Sequence, residues 1–231
     1  MNPTEPIQST LSALPEYANL QIDAQGWCPQ ALHLPSPNCD ARPVPEQIEL
    51  LVIHNISLPP GKFGGPWIAD LFFNTLDPAA DPYFAQLQSL RVSAHFLIRR
   101  DGQLVQFVST RQRAWHAGVS CFDGREGCND FSIGIELEGS DTVPFCAEQY
   151  AALSQLTLAL QHAHPLRAVT GHEHIAAGRK TDPGPFFDWQ CYQSQWASCF
   201  AANAPNRCST TGLLFATSEQ KSAEMASKKS P

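Results

Sequence analysis

No lysine or arginine precedes Arg42, and this absence bears on where the protein works. A secretory signal peptide needs a positively charged start followed by an apolar segment, and the opening MNPTEPIQSTLSALPEY has neither. No cysteine precedes Cys28, so an early lipid-attachment site is missing as well. We therefore expect a cytoplasmic protein.

Long apolar runs and clusters of basic residues are also missing. The longest apolar runs, such as 50–53, have the size of a strand, whereas a membrane-spanning helix needs about 20 residues. The net charge is −7 and the pI about 5.5, which disfavours binding to nucleic acid. We expect neither a membrane nor a nucleic acid as partner, and we expect a monomer.

The eight cysteines include no C-x-x-C pair, which argues against a structural zinc site with four cysteine ligands. A chain of 231 residues that is 43% hydrophobic can bury a core without disulfide bonds. We expect free cysteines, most of them buried as small hydrophobic side chains.

Composition divides the chain into three parts. Residues 1–20 are polar and contain proline, which indicates a flexible N-terminal arm. Residues 201–231 are small and polar, apart from the short GLLFA patch at 212–216, and we expect a mostly disordered tail. One domain is expected between them, over residues 21–200.

Within that domain, strand patterns alternate with helix patterns. Strands are predicted at 48–56, where 50–53 are apolar on both faces, and at 131–139, where apolar residues alternate with Gly134, Glu136 and Glu138. Asp101-Gly102 predicts a type I′ hairpin within 94–108. Helices are predicted at 68–76, at 148–164 with a stripe from Tyr150 to Ala163, and after a cap at Asp188. This order predicts an α/β (or α+β) fold around one mixed sheet.

The segment TGHEHIAAGRKTDPGP (170–185) is dense in ionisable groups and too rich in glycine and proline for one helix. His172, His174 and Asp182 are candidate zinc ligands from non-helical loops, and His54 is another, at the end of a buried strand. A hydrolytic zinc site needs three protein ligands and one open position. The alternatives are a hydrogen-bonded core histidine at position 54 and a surface loop with capping residues. Spacing alone leaves the choice open.

Glu136 and Lys180 are candidates for the chemistry itself. If the polar face of strand 131–139 is buried, Glu136 is suited to act as a general base whose pKa is raised by low-dielectric surroundings. The alternative is a solvated sheet face. Lys180 is placed to stabilise a developing oxyanion, or is an ordinary surface lysine.

Five further residues are candidates for binding substrate. Trp115 and His116 stand together in RQRAWHAGVS, where Trp115 is either a core residue or the floor of a sugar site. Asn55, Arg91 and Arg125 are candidate hydrogen-bond donors to a polar, anionic ligand. Taken singly, Trp115 is better explained as a core residue and the three donors as surface residues.

Five long segments resemble the cytoplasmic 1,6-anhydro-N-acetylmuramyl-L-alanine amidases of the AmpD type. They are VIHNISLPPGKFGGPWI, LRVSAHFLIRRDGQLVQFV, RAWHAGVS, CNDFSIGIELEG and TGHEHIAAGRKTDPGPFFDW. The resemblance implies a mixed sheet flanked by helices, with one Zn²⁺ in a cleft at one edge. It implies His54, His172 and Asp182 as ligands, and Glu136 and Lys180 as catalytic residues, in place of His174 and Glu138.

The resemblance also implies a reaction, in which the amide between the lactyl group of anhydro-muramic acid and L-alanine of the stem peptide is hydrolysed. That reaction recycles cell-wall fragments and lowers the muropeptide signal that induces β-lactamase. A periplasmic amidase acting on intact sacculus, a non-catalytic muropeptide-binding module and a structural zinc protein are the alternatives.

The chain departs from the family pattern at several positions. It has Gly127 where an arginine is frequent, His174 where an aspartate is common and Ala177 where a proline is common. The missing arginine removes one anchor for an anionic substrate group, which leaves more of that role to Arg125 or Arg91. The helix after Cys146 also lacks the usual Thr or Asp cap, a loss of about 1 kcal/mol.

Overall fold

The computed structural model describes residues 19–43, 47–203 and 212–216, and its centre is a seven-stranded β-sheet. The strands of the described residues are β1 (Leu32–His33), β2 (Cys39–Ala41), β3 (Leu50–Ile56), β4 (Phe96–Ile98), β5 (Leu104–Gln106), β6 (Gln112–Ala114), β7 (Cys121–Phe122), β8 (Arg125–Glu126), β9 (Ser132–Glu138), β10 (Ala168–Gly171) and β11 (Leu214–Ala216).

The central sheet has the strand order β1-β5-β4-β9-β3-β10-β11. Neighbouring strands run parallel, with the exception of the antiparallel pair β4 and β5. Strands β2 and β6, and strands β7 and β8, form two small antiparallel ladders of their own. The predicted α/β class with one mixed sheet is confirmed.

The described residues contain four α-helices, three of which follow the amphipathic patterns of the sequence. The four are α1 (Trp67–Phe73), α2 (Ala147–Ala163), α3 (His172–Ile175) and α4 (Trp189–Asn203), and the short α3 was not predicted. Asp188 caps α4 as predicted, because its Oδ1 accepts a 2.8 Å bond from the Cys191 N–H. Helix α2 lacks a Thr or Asp cap, and the Gln149 side chain instead accepts a 3.1 Å bond from the Cys146 N–H. None of the helices in the described residues is long and apolar enough to cross a bilayer.

The two faces of the sheet are covered differently. Helices α2 and α4 pack on one face, against a core that contains Leu51, Ile53, Ile133, Ile135 and Leu137. Leu50 and Val52 point the other way, into a cluster with Ala117 and Cys128. Side chains alternate along a strand, so His54 and Glu136 lie on the face away from α2 and α4.

The β4–β5 hairpin exists, but the predicted type I′ turn at Asp101-Gly102 is wrong. The Gly102 N–H donates to the Arg99 carbonyl at 2.9 Å, and Arg99 N–H donates to Gln103 O at 2.9 Å. Gly102 has φ of 86°, whereas Asp101 is not among the residues with positive φ. A type I′ turn needs positive φ at both central residues, so the loop is longer and only its glycine is left-handed.

Burial corrects two other expectations. Of the seven described cysteines, all free, only Cys28 and Cys128 are buried, and Cys121 is exposed. Ala163, predicted as the last residue of the buried stripe on α2, is exposed because the helix there runs past the edge of the core.

The boundaries of the ordered domain reach beyond 21–200. Leu20 is buried in the main core, helix α4 continues to Asn203, and the GLLFA patch forms the edge strand β11 beside β10. Phe215 packs against Tyr192 and Trp196, so the patch is apolar because it covers the end of the core. Residues 1–18, 204–211 and 217–231 of the predicted arm and tail lie outside the described residues.

His164, just after α2, predicts a loss of stability in acid. Its Nε2 lies 2.9 Å from Thr110 Oγ1, and burial, with Arg42 and Arg111, lowers its pKa to about 4. Between pH 6.5 and 4 the unfolded chain binds the proton that the folded chain refuses, so the free energy of unfolding falls as the pH is lowered. Denaturant titrations across this range should show a shallower fall for His164→Asn. Curves of equal slope for the two proteins would contradict this cause.

Candidate functional site

The site lies where three parallel strands reach their carboxyl ends. His54 is near the end of β3, and its register partner on β9 is Glu136. On the other side of β3, Gly171 pairs with Ile53, which places His172 directly after β10 and beside His54. His172 is the first residue of α3, so its predicted position in a non-helical loop is wrong.

Asp182 completes a tight cluster with the two histidines. Its Oδ2 lies 2.9 Å from His54 Nδ1 and 3.0 Å from His172 Nδ1, and the two Nδ1 atoms are 3.0 Å apart. His54 and His172 are almost fully buried, and Asp182 is partly exposed. Three ligand-type atoms therefore converge on one point from segments far apart in the chain.

This triangle fits a metal ion. Tetrahedral zinc with bonds of about 2.0–2.1 Å holds neighbouring ligand atoms about 3.3 Å apart, close to the separations seen here. Two imidazoles and a carboxylate suit zinc, and three protein ligands leave a fourth position open. Among the described residues, His54, His172 and Asp182 form the cluster that could hold the ion.

The electrostatics of the cluster agree with this arrangement. Burial, together with the neighbouring His172, lowers the pKa of His54 to about 4, so its imidazole is neutral at pH 7. Burial opposes the charge on Asp182, but its close contacts with His172 and His54 outweigh burial and hold the pKa of Asp182 well below its usual range. Neutral imidazoles and an ionised carboxylate are the forms that bind a cation.

The two histidines are held from behind by groups that the sequence did not single out for this purpose. His54 Nε2 lies 3.0 Å from His116 Nδ1, and His172 Nε2 lies 3.0 Å from the Ala117 carbonyl. The guanidinium of Arg179 donates to the same carbonyl at 2.9 Å. Only the position of Arg179, next to Lys180, could have indicated it in the sequence.

Glu136 faces the cluster from β9. It is half-buried, and its Oε2 has no hydrogen-bond partner among the described residues. Burial and the negative charge of Asp182 raise its pKa well above the usual range, while Lys180 opposes the shift. Lys180 is exposed and close enough to act on both Glu136 and His54.

Glu138, the other acidic residue on this face of β9, has a structural role. It is 2% exposed, and its carboxylate accepts bonds from the N–H groups of Gly64, at 2.5 Å, and Arg100, at 3.1 Å. The interpretation of this face as solvated is therefore wrong. Glu138 ties the glycine-rich loop 57–67 to the β4–β5 hairpin.

Comparison with known proteins is consistent with this geometry. The sequence profile of the N-acetylmuramoyl-L-alanine amidase family matches residues 44–185, which include all five predicted ligand and catalytic residues. The chain belongs to this family. It is 59% identical over 167 residues to the 1,6-anhydro-N-acetylmuramyl-L-alanine amidase AmpD of Escherichia coli (strain K12), covering 71% of this chain and 91% of that one.

Other members of the amidase family extend the comparison. The AmpD of Citrobacter freundii is 58% identical over 172 residues, which cover 74% of this chain and 92% of that protein. The crystal structure of a selenomethionine AmpD derivative superposes with a TM-score of 0.73 at 56% identity, over 76% of this chain and 99% of that one. The resemblance seen in the sequence is confirmed, and so is the fold that it implied.

The five residues predicted to bind substrate in this amidase-family chain do not lie together in one group. His116 lies behind His54, and Asn55 donates to Asp141 Oδ1 at 2.7 Å and to the Pro183 carbonyl at 3.0 Å, which holds the segment after Asp182. His174, the rejected ligand, accepts a 3.1 Å bond from the Gly171 N–H through Nδ1.

Arg91, Trp115 and Arg125 have contacts on other elements. Arg91 donates to the carbonyls of Gln88 and Leu90, and the Trp115 side chain interacts with Asp40. Arg125 stacks over the Phe131 ring at 3.8 Å and lies 3.8 Å from Glu49. A role of these three in substrate binding stays a prediction.

Proposed function

We propose that the chain is a zinc-dependent amidase that cleaves the bond between the lactyl group of 1,6-anhydro-N-acetylmuramic acid and L-alanine of the stem peptide. The observation that carries the proposal is the convergence of His54, His172 and Asp182 beside Glu136. The choice of substrate is supported by relatives of 50–59% identity that bear this name. The role would be recycling of cell-wall fragments in the cytoplasm, which also lowers the muropeptide signal that induces β-lactamase.

His54, His172 and Asp182 would hold one Zn²⁺. When bound, the ion supplies Lewis acidity, which makes a water molecule more acidic and polarises a carbonyl. The three side chains contribute one negative charge in total, so the site keeps a net positive charge once the dication is present.

Glu136 would act as the general base. Its carboxylate takes one proton from the water whose oxygen attacks the lactyl carbonyl carbon, and later gives that proton to the nitrogen of L-alanine as the C–N bond breaks. The second proton of the water stays on the new carboxyl group and passes to the amine, so the products are a lactyl carboxylate and the ammonium group of L-alanine. The orphaned Oε2 and the raised pKa of Glu136 fit a group that holds a proton between two steps.

Lys180 would stabilise the transition state. Its ammonium is exposed at the mouth of the site, where it can approach the oxygen of the scissile carbonyl as negative charge develops there. Flanked by Arg179, which is fixed to the Ala117 carbonyl, Lys180 has an anchored backbone close to the ligand cluster.

An assay with two substrates tests the proposal. Purified protein is offered a 1,6-anhydro-muropeptide or whole sacculus, each with and without a zinc chelator, and the released peptide is measured by chromatography. We expect rapid cleavage of the anhydro-muropeptide, little release from sacculus, and loss of activity in the chelator that added Zn²⁺ restores. Cleavage of sacculus but not of the anhydro fragment would overturn the substrate, and full activity in chelator would overturn the zinc requirement.

A further inference from the structure

A chain of hydrogen bonds runs from His54 away from the ligand cluster and ends on the backbone. His54 Nε2 lies 3.0 Å from His116 Nδ1, and His116 Nε2 lies 3.1 Å from Ser132 Oγ. Ser132 Oγ lies 2.5 Å from the Cys128 carbonyl oxygen. These residues come from β3, from the segment after β6, and from the start of β9 and the turn before it.

The hydrogen bond between Ser132 and Cys128 decides which atom donates in each of the other bonds of this series. Two oxygens 2.5 Å apart must share a hydrogen, and only the Ser132 hydroxyl can provide one, since a carbonyl only accepts. The hydroxyl proton is therefore committed to Cys128 O. Ser132 Oγ is left to accept, and the bond between it and His116 must be donated by His116 Nε2–H.

The same reasoning fixes the tautomers of the imidazoles of His116 and His54. A neutral imidazole carries one proton, and in His116 that proton is on Nε2, because Ser132 Oγ can only accept from it. His116 Nδ1 must then accept from His54 Nε2–H. His54 is left with a free lone pair on Nδ1, the atom that points at His172 and Asp182.

We propose that His116 and Ser132 are positioning residues, which fix the tautomer and the ring orientation of His54 so that its Nδ1 can bind the metal. The inference rests on the metal site of the proposed function. Outer hydrogen bonds of this kind commonly set the orientation of metal-binding imidazoles.

Gly134 shows that room for His116 is built into the sheet. A Cβ at this position of β9 would lie 2.4 Å from His116 Cγ and 2.6 Å from its Nδ1, closer than atoms can approach. Glycine weakens the interior of a strand, and here it leaves the space that the His116 ring occupies next to the backbone.

The affinity for Zn²⁺, measured by competition with a chromophoric chelator, tests the proposal without reference to catalysis. His116→Leu removes the acceptor for His54 Nε2–H, and we expect binding about 10- to 100-fold weaker. Ser132→Ala should weaken binding in the same direction by less. His116→Asn should recover most of the affinity, because its amide oxygen can take the place of Nδ1 as acceptor. Unchanged Zn²⁺ affinity in both His116→Leu and Ser132→Ala would overturn the inference.

Thr157→Val is the matched control for a general loss of stability. Thr157 Oγ1 is buried on α2 and lies 2.6 Å from Tyr192 Oη, so its removal also breaks a buried hydrogen bond, but on the opposite face of the sheet. We expect this variant to lose stability and to bind Zn²⁺ as the unaltered protein does. Equal loss of affinity in Thr157→Val and His116→Leu would show a merely structural role and overturn the proposal.

A measurement on the unaltered, Zn²⁺-loaded protein keeps the proposal open to refutation if a variant fails to fold. Nitrogen-15 NMR of the imidazoles should show protonated Nε2 and unprotonated Nδ1 for both His54 and His116, and a proton on His116 Nδ1 would overturn it. Zn²⁺ binding that survives His172→Ala contradicts the metal site itself. Binding lost in His172→Ala but unchanged in His116→Leu overturns the present inference alone.

Discussion

Replacing Glu136 with alanine is expected to lower kcat by about 10²- to 10⁴-fold, the usual contribution of a general acid–base residue, while zinc stays bound. Glu136 faces the ligand cluster across one strand spacing from His54, but it belongs to none of the close contacts within the triangle. Its loss should therefore remove the proton acceptor and leave the metal site intact. Steady-state kinetics and metal analysis of the same preparation measure the two effects separately.

The same substitution is expected to preserve or raise the stability of the metal-free protein. In the folded chain Glu136 keeps its proton to a higher pH than in the unfolded chain, because burial and Asp182 raise its pKa well above the usual range. The folded state then binds more protons above pH about 4.3, so Glu136 costs stability as the pH rises through that value. The thermal unfolding temperature of Glu136→Ala should therefore exceed that of the unaltered protein by a margin that grows as the pH rises. Such a trade of stability for activity is frequent at active sites.

Glu173→Ala is the matched control for Glu136→Ala. Burial and Asp182 raise the pKa of Glu173 to about 7, so it too is a carboxyl group in the field of the ligand cluster. It lies on α3 rather than on the strand opposite His54, and we expect it to retain most of the turnover. Turnover at the unaltered rate in Glu136→Ala would show that the base is another group, and Glu173 would be the first to test.

The elements nearest the site were predictable because their sequence patterns are strong and local. Strand β3 shows a continuous apolar run that only a strand buried on both faces explains, and β9 alternates residue by residue. The choice of His172 over His174, however, came from family resemblance. In space, His172 directly follows β10 and lies beside His54, whereas His174 lies further along α3 and its Nδ1 accepts from the Gly171 N–H.

What the sequence could not show depends on contacts between distant residues. Nothing near Ser132 indicates that its hydroxyl lies below His116, because the bond between them depends on how β9 packs under the segment after β6. The structural role of Glu138 could not be predicted either, since its partners are backbone N–H groups of two loops. The GLLFA patch was visible as an apolar segment, but its place beside β10 is a pairing across more than forty residues.

The two faces of the sheet differ in the side chains that they carry. Helices α2 and α4 cover one face with a large apolar core, whereas the other carries His54, Glu136 and Glu138 between two smaller apolar clusters. A buried polar network is costly unless its members are paired, and Glu136 Oε2 is an unpaired exception among the described residues. Stability supplied by the apolar clusters on both faces allows the site to keep Glu136 unpaired, in the state that the proposed chemistry requires.

Asp182→Ala is expected to abolish both metal binding and turnover. Asp182 carries the negative charge of the ligand set, and the substitution leaves two neutral imidazoles whose Nδ1 atoms lie 3.0 Å apart. Loss of an outer hydrogen bond weakens metal binding by about 10- to 100-fold, so loss of a direct, charged ligand should exceed the upper end of that range. Residual turnover should equal that of the unaltered protein in excess chelator.

Asp141→Ala is the matched control, because it removes a neighbouring carboxylate that is not a ligand. Asp141 accepts a bond from Asn55 Nδ2 but lies outside the ligand triangle. Its removal loosens the segment after Asp182 and leaves all three ligands in place, so we expect Zn²⁺ to bind with modestly lower affinity. Dialysis against a metal-free buffer followed by metal analysis distinguishes the two variants. If the Asp182→Ala variant retained one zinc per chain, Asp182 would not be a ligand. The ion would then have to be held by His54, His172 and another carboxylate, and Glu136 is the carboxylate that faces the cluster directly.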